Sequence, residues 1–173
     1  GGWVVDGQLC AGFGRGESDL GHVVLDPGGP RCRCGGRGCF ESLTSRRAVM
    51  DRIQEAILAG RTSVLSESLR EVGWMRGKEL RQAYRNGDPL VREVVKAAAH
   101  WLDFALRRLV RTLGPEVVML GGGMAELLRD SIPGSRGDPE TEPKVEGVPL
   151  RMSALGDEAC IAGAALLASQ LRP

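Results

Sequence analysis

Three of the chain's five cysteines and one of its two histidines fall within 18 residues, as His22, Cys32, Cys34 and Cys39. Zn²⁺ prefers tetrahedral coordination by thiolate sulfur and imidazole nitrogen, and a Cys₃His set leaves no position for water. A closed set of this kind staples a fold rather than serving as a Lewis acid. The glycines at 28, 29, 35, 36 and 38, with Pro27 and Pro30, let a short loop turn sharply enough to aim four side chains at one point. The competing reading is a group of reduced, metal-free cysteines. Cys32 and Cys34 have one residue between them, which disfavours a disulfide joining those two, and Cys10 and Cys160 lie far apart in apolar surroundings. An odd count of five suits a reducing compartment in which thiols bind metal, so structural zinc is the stronger expectation.

Composition narrows the function classes. A net charge of +1 creates no field that would gather nucleic acid or an anionic membrane, and aromatic residues at 4% leave no platform for stacking bases. A zinc-ribbon nucleic-acid binder fits the cysteines alone and nothing else. No apolar run approaches the roughly 20 residues needed to span a bilayer, and the first residues lack the charged and apolar regions of a signal peptide. The expected compartment is the cytoplasm. With 173 residues and 42% hydrophobic content, the chain is expected to form one domain over residues 1–173.

Local signals divide the chain as follows. Trp3–Val5 and Gln8–Cys10 read as strands joined by Asp6-Gly7, a dipeptide that accepts a tight hairpin turn. After the cysteine loop, Thr44 or Ser45 can cap a helix in which Val49, Ile53, Ala56 and Ile57 form an apolar stripe and Gly60 is placed to end it. Shorter helices are predicted around Val64–Glu71 and Gly77–Arg85. Asp88-Pro89 supplies an N-cap and a first-turn proline to the longest periodic run, with Leu90, Val94, Ala98, Trp101, Leu102, Ala105, Leu109 and Leu113 at helical spacing. That run is the expected core helix. His100 within it has nothing ligand-like spaced around it and reads as a packing or surface residue.

Glu116–Leu120 reads as a buried strand running into Gly121, Gly122 and Gly123, with a helix starting at Met124. Such a turn can let backbone amides approach a nucleotide, although a strained strand-to-helix turn explains the glycines equally well. Ser131–Gly147, rich in Pro, Gly and charge, reads as a surface loop. Val148–Ala154 reads as a strand, and Asp157 can cap a final helix whose small residues suit close packing. Alternating strands and helices after a metal-stapled loop indicate a mixed α/β domain.

The order Gly-His, nine residues, then CxCGxxGCxE and a serine opening a helix resembles the signature of the ROK family of bacterial sugar kinases and sugar-responsive repressors. The resemblance continues through VVMLGGG at 117–123 and LGDEACIAGAALLA at 155–168, so it covers nearly the whole chain. It implies the second lobe of an actin-like, ribonuclease-H-like ATPase fold. The family's first lobe, with its phosphate loop and catalytic aspartate, has no counterpart in these residues. The resemblance further implies that Asp19, His22 and Glu41 hold the sugar, His22 doing so while it also binds zinc. Position 19 departs from the glutamate usual in the family, and the shorter arm is expected to lose a hydroxyl contact or shift sugar preference. Without the motif, Asp19 and Glu41 would read as a solvated loop acid and a helix-start charge. Gly1 and Gly2 match the last glycines of a phosphate-touching turn, though a plain loop accounts for them as well, and Gly121, Gly122 and Gly123 would serve the same nucleotide.

The implied activity is ATP-dependent phosphorylation of a hexose, of glucokinase type, with structural Zn²⁺ in this lobe and ATP with Mg²⁺ in the complete protein. The alternative is the sugar-sensing domain of a repressor. Expected partners are a hexose, ATP and further copies of the chain in a homo-oligomer, with no membrane, and no nucleic acid unless a helix-turn-helix lies upstream.

Overall fold

The computed structural model describes residues 1–10, 20–73, 75–132 and 142–170. A two-stranded hairpin comes first: β1 (Val4–Val5) pairs antiparallel with β2 (Gln8–Leu9), Val4 opposite Leu9. Asp6 and Gly7 both take positive φ, 50° and 75°, as a turn matched to the strands' right-handed twist demands.

The helix expected after the cysteine loop is present, and a shorter one that was not expected precedes it. α1 (Phe40–Thr44) and α2 (Arg46–Leu58) meet at Ser45, whose extended backbone breaks the helical path. Ser45 Oγ accepts from the Ala48 N–H at 3.2 Å and is therefore the cap of α2. Thr44, the other capping choice, is buried and donates its hydroxyl back to the Phe40 carbonyl at 2.9 Å. Val49 and Ile53 are fully buried, and the chain turns away just past the helix at Gly60, φ 93°. α3 (Ser66–Val72) and α4 (Gly77–Arg85) follow the predicted pieces closely.

α5 (Pro89–Leu113) organises the core. Asp88 caps it, Oδ1 accepting from the Val91 N–H at 2.9 Å, and Pro89 occupies the first turn. Its buried face is wider than the predicted stripe: Val91, Val95, Ala99, Leu106 and Val110 join Leu90, Val94, Ala98, Leu102 and Ala105. At the far end Leu113 is 39% exposed, outside the stripe it was expected to extend. Helices α1, α2, α4 and α6 and strand β4 all rest on α5, so apolar side chains around more than half its circumference find partners. Each large aliphatic group buried there contributes about 1.5–3 kcal/mol. His100 is exposed, its ring centroid 5.9 Å from that of Trp101 in an edge-to-face arrangement, as expected of a surface residue.

β3 (Val118–Leu120), β4 (Lys144–Val145) and β5 (Val148–Met152) form a sheet of order β3-β5-β4, β3 parallel and β4 antiparallel to β5. The expected buried strand at Glu116–Leu120 is shorter and only half-buried: Val118 and Leu120 face the core while Met119 is 63% exposed. Among the described residues β3 is an edge strand covered on one face, and side chains alternate between faces along a strand.

The loop expected at Ser131–Gly147 also needs correction. Ile132 and Val145 are buried, and Lys144–Val145 is β4; residues 133–141 lie outside the described residues. Glu146, φ 50°, and Gly147, φ 86°, make the tight turn into β5. Arg111 and Arg107 grip the Glu146 carboxylate at 2.8 Å each, holding its pKa below the usual range and the hairpin against α5.

α6 (Gly122–Leu128) starts two residues before the predicted Met124. The last helix, α7 (Ala159–Gln170), follows a 3₁₀ turn at Gly156–Glu158; the Asp157 side chain expected to cap it lies outside what is described. Close packing was expected of α7, but among the described residues Ile161 is 74% and Leu166 61% exposed, because no other element lies over them. No helix among the described residues is long and apolar enough to cross a membrane.

Candidate metal centre and its acidic neighbour

The loop from Val23 to Cys39 is held by backbone hydrogen bonds. The Leu25 and Asp26 N–H groups both donate to the Gly38 carbonyl, at 2.9 and 3.2 Å, and Gly38 N–H donates to Pro30 O at 2.8 Å. Cys32 N–H donates to Gly36 O at 2.9 Å and Gly35 N–H to Cys32 O at 3.1 Å, folding the Cys32–Cys34 segment back on itself. Asp26 organises the first turn: its carbonyl accepts from Gly29 N–H at 2.8 Å and its Oδ1 from Gly28 N–H at 3.0 Å. The sequence reading passed over Asp26, although Asp-Pro-Gly-Gly is a turn signature.

Gly38 is indispensable to this arrangement. It sits at φ 62°, and an added Cβ would fall on the Asp26 carbonyl group. Gly38→Ala is therefore expected to push the two arms of the loop apart and weaken zinc binding at least tenfold. Zinc titration against a competing indicator checks it, with circular dichroism expected to show α2 and α5 intact.

The ladder brings the four predicted ligands together. His22 Nδ1 lies 3.5 Å from Cys32 Sγ, Cys34 Sγ lies 3.6 Å from Cys39 Sγ, and all four ligand atoms fall within 4.8 Å of one another. Zn–S bonds of about 2.3 Å and Zn–N bonds of about 2.0–2.1 Å put tetrahedral ligand atoms about 3.5–3.8 Å apart, so these residues fit such an ion. The chemistry of the thiols agrees. Burial first, then the neighbouring Cys34 and Cys32, pushes the Cys39 thiol up to about 12. A thiolate there needs a cation beside it. Cys34, at the exposed end, is lowered, chiefly by the Gly36 backbone N–H and then by Cys32 and Cys39.

Glu41, in the first turn of α1, places Oε2 3.9 Å from His22 Nδ1. The same nitrogen faces Cys32, which makes Nδ1 the metal-directed atom of the ring and Nε2 the one pointing elsewhere. Asp19, the other acid singled out, lies outside the described residues.

The predicted nucleotide glycines are not brought to this centre. Gly1 and Gly2 line an apolar cavity of about 220 Å³ with Leu106, Val110 and Leu120, and Gly121, Gly122 and Gly123 do not line it. Gly121 packs against Ser153, where an added Cβ would come within 3.2 Å of the Ser153 Cβ, and Gly122 has φ 81°. A tight strand-to-helix turn accounts for both.

A family model described as the ROK family matches residues 1–171. The chain belongs to the ROK family. It is 32% identical to the kanosamine kinase of Amycolatopsis mediterranei (strain S699), an alignment covering 97% of this chain and 52% of that protein. Among solved structures it is similar to a ROK family glucokinase from Streptomyces griseus in complex with glucose and AMPPNP, with TM-score 0.78, 28% identity, and coverage of 98% of this chain and 56% of the other. A ROK family transcriptional regulator, a homologue of the E. coli MLC protein, is similar too, with TM-score 0.72, 30% identity and coverage of 97% and 42%. The chain thus spans about half the length of the curated relatives it matches.

Proposed function

We propose that this ROK chain is the sugar- and zinc-binding lobe, of actin-like ATPase fold, of an ATP-dependent hexose kinase of glucokinase type. The observation that carries the reading is the placement of Glu41 beside His22, at the two ends of a loop whose ligand set fits a zinc ion. Bound zinc would neutralise the loop's thiolates, buried Cys39 among them, and fix the His22 ring. The ring then presents Nε2 to a sugar hydroxyl while the Glu41 carboxylate accepts from another, and Asp19 is proposed as a third contact.

Phosphoryl transfer is mostly positioning plus charge stabilisation, and it requires a base at the attacking hydroxyl with Mg²⁺ and donors around the phosphates. By family resemblance the base and the phosphate loop belong to a first lobe, with Gly1, Gly2 and Gly121–Gly123 at the nucleotide side. Relatives described as kinases, one solved with glucose and AMPPNP, support this reading. The second reading is a sugar-sensing repressor domain, supported by the likeness to the ROK regulator.

Glucose titration by calorimetry tests the sugar contacts. Loss of a hydrogen bond to a charged group removes about 1.5–3 kcal/mol, so Glu41→Ala is expected to weaken glucose binding about tenfold to a hundredfold. Unchanged affinity would remove Glu41 from the site. In a coupled ADP-release assay the 173 residues alone are expected to show no glucose-dependent turnover, and a chimera carrying the first half of the Amycolatopsis kinase is expected to show it. Turnover by the chain alone would overturn the division of labour.

A further inference from the structure

An open cleft of about 320 Å³ lies between the Pro30–Arg33 segment of the metal loop and the first turns of α2. Arg31, Arg33, Arg47 and Arg52 line it together with Glu41, Asp51 and Glu55. The near-balance of that list is misleading. Asp51 is committed to Arg47 at 3.3 Å. The guanidinium groups of Arg31, Arg33 and Arg52 pair with no carboxylate among the described residues, which leaves three of them facing the Glu41 and Glu55 carboxylates. The first turn of α2, at the cleft wall, carries no acid.

Like charges converging on a concave surface repel one another and focus a positive potential into it, which an anion relieves. Guanidinium groups match phosphate oxygens in pairs, and arginine rather than lysine is the residue suited to that planar geometry. The volume falls at the small end of ligand pockets, about 300–1,000 Å³. We propose that this cleft binds a phosphorylated monosaccharide, its phosphate held by Arg31, Arg33 and Arg52 and its hydroxyls directed towards Glu41. The phosphate half of the inference stands on the arginines alone; the sugar half rests on the role proposed for Glu41.

The test is titration of the chain with inorganic phosphate, glucose 6-phosphate and glucose, followed by calorimetry and by the arginine side-chain N–H signals in NMR. Both anions are expected to bind with affinity that falls as salt is raised, glucose 6-phosphate more tightly than phosphate. The Arg31→Ala/Arg33→Ala double variant should weaken both anions about tenfold or more, while glucose binding stays as in the parent. Arg52→Ala provides a second variant on a separate element, and Arg85→Ala on α4 serves as a control. Anion binding that is undetectable, or insensitive to these substitutions in variants that melt like the parent, overturns the inference. Phosphate binding that survives while Glu41→Ala leaves glucose affinity unchanged refutes only the sugar half.

Discussion

Purified protein is expected to contain about one zinc ion per chain and to lose it as the pH is lowered. Binding replaces protons on the cysteines, and Cys39, whose thiol is pushed up to about 12, carries its proton at neutral pH until metal displaces it. Affinity for the ion therefore rises with pH, and acid favours release. Even outer partners of metal ligands are worth about 10–100-fold in affinity, so replacing a ligand, as in Cys34→Ala or Cys39→Ala, should reduce zinc affinity by more than about a hundredfold. With zinc in excess, a hundredfold change removes about 2.7 kcal/mol of linked stability. Cys10→Ala, which touches no ligand, should melt close to the parent. Elemental analysis showing no zinc, with the loop cysteines fully reactive in the native protein, would refute the centre.

Asp88→Ala is expected to destabilise the chain by about 3 kcal/mol, from the lost helix cap and two buried donors left unpaired. Asp88 is only 5% exposed, yet it joins α5 to the segment before α3: Oδ1 takes the Val91 N–H, while Oδ2 takes the Val64 N–H and the Ser63 hydroxyl, both at 2.8 Å. Burial, the largest influence, would raise its pKa, but hydrogen bonds from Val91, Val64, Ser63 and Leu90 together bring it below the usual carboxylate range. The sign follows. A depressed folded-state pKa contributes stability above the unfolded value of about 3.9, and that contribution disappears as the pH falls through the folded value. Urea melts of the parent and Asp88→Asn should differ at pH 7 and converge in acid, because the amide does not titrate. A constant difference across pH would show that the charge plays no part.

The chain's own residue order determined whatever is decided within a turn or two of backbone. Asp6-Gly7 dictates its turn through the φ values it tolerates, and Asp88-Pro89 starts α5 because a short carboxylate reaches the free N–H groups of the first turn. The candidate ligand set was legible because ligand chemistry is carried by residue type, and glycine and proline between the four residues mark the turns that gather them. Tertiary structure alone decided the rest. β4 is two residues long, too short for any alternation to show, and exists because Val148–Met152 offers it a partner and α5 an apolar seat for Val145. Burial also chose between the two capping candidates, since the Thr44 hydroxyl turns back onto the Phe40 carbonyl of its own helix and leaves Ser45 to cap α2. Met119 and Ile161 are as apolar as the core residues around α5 but stay exposed, because burial depends on what lies opposite. The cleft arginines that meet no carboxylate among the described residues come from positions 31, 33 and 52, on a loop and a helix whose approach no local pattern records. Local dihedral preferences act over a few residues, whereas pairing and burial are settled by which distant surfaces the folded chain brings into contact.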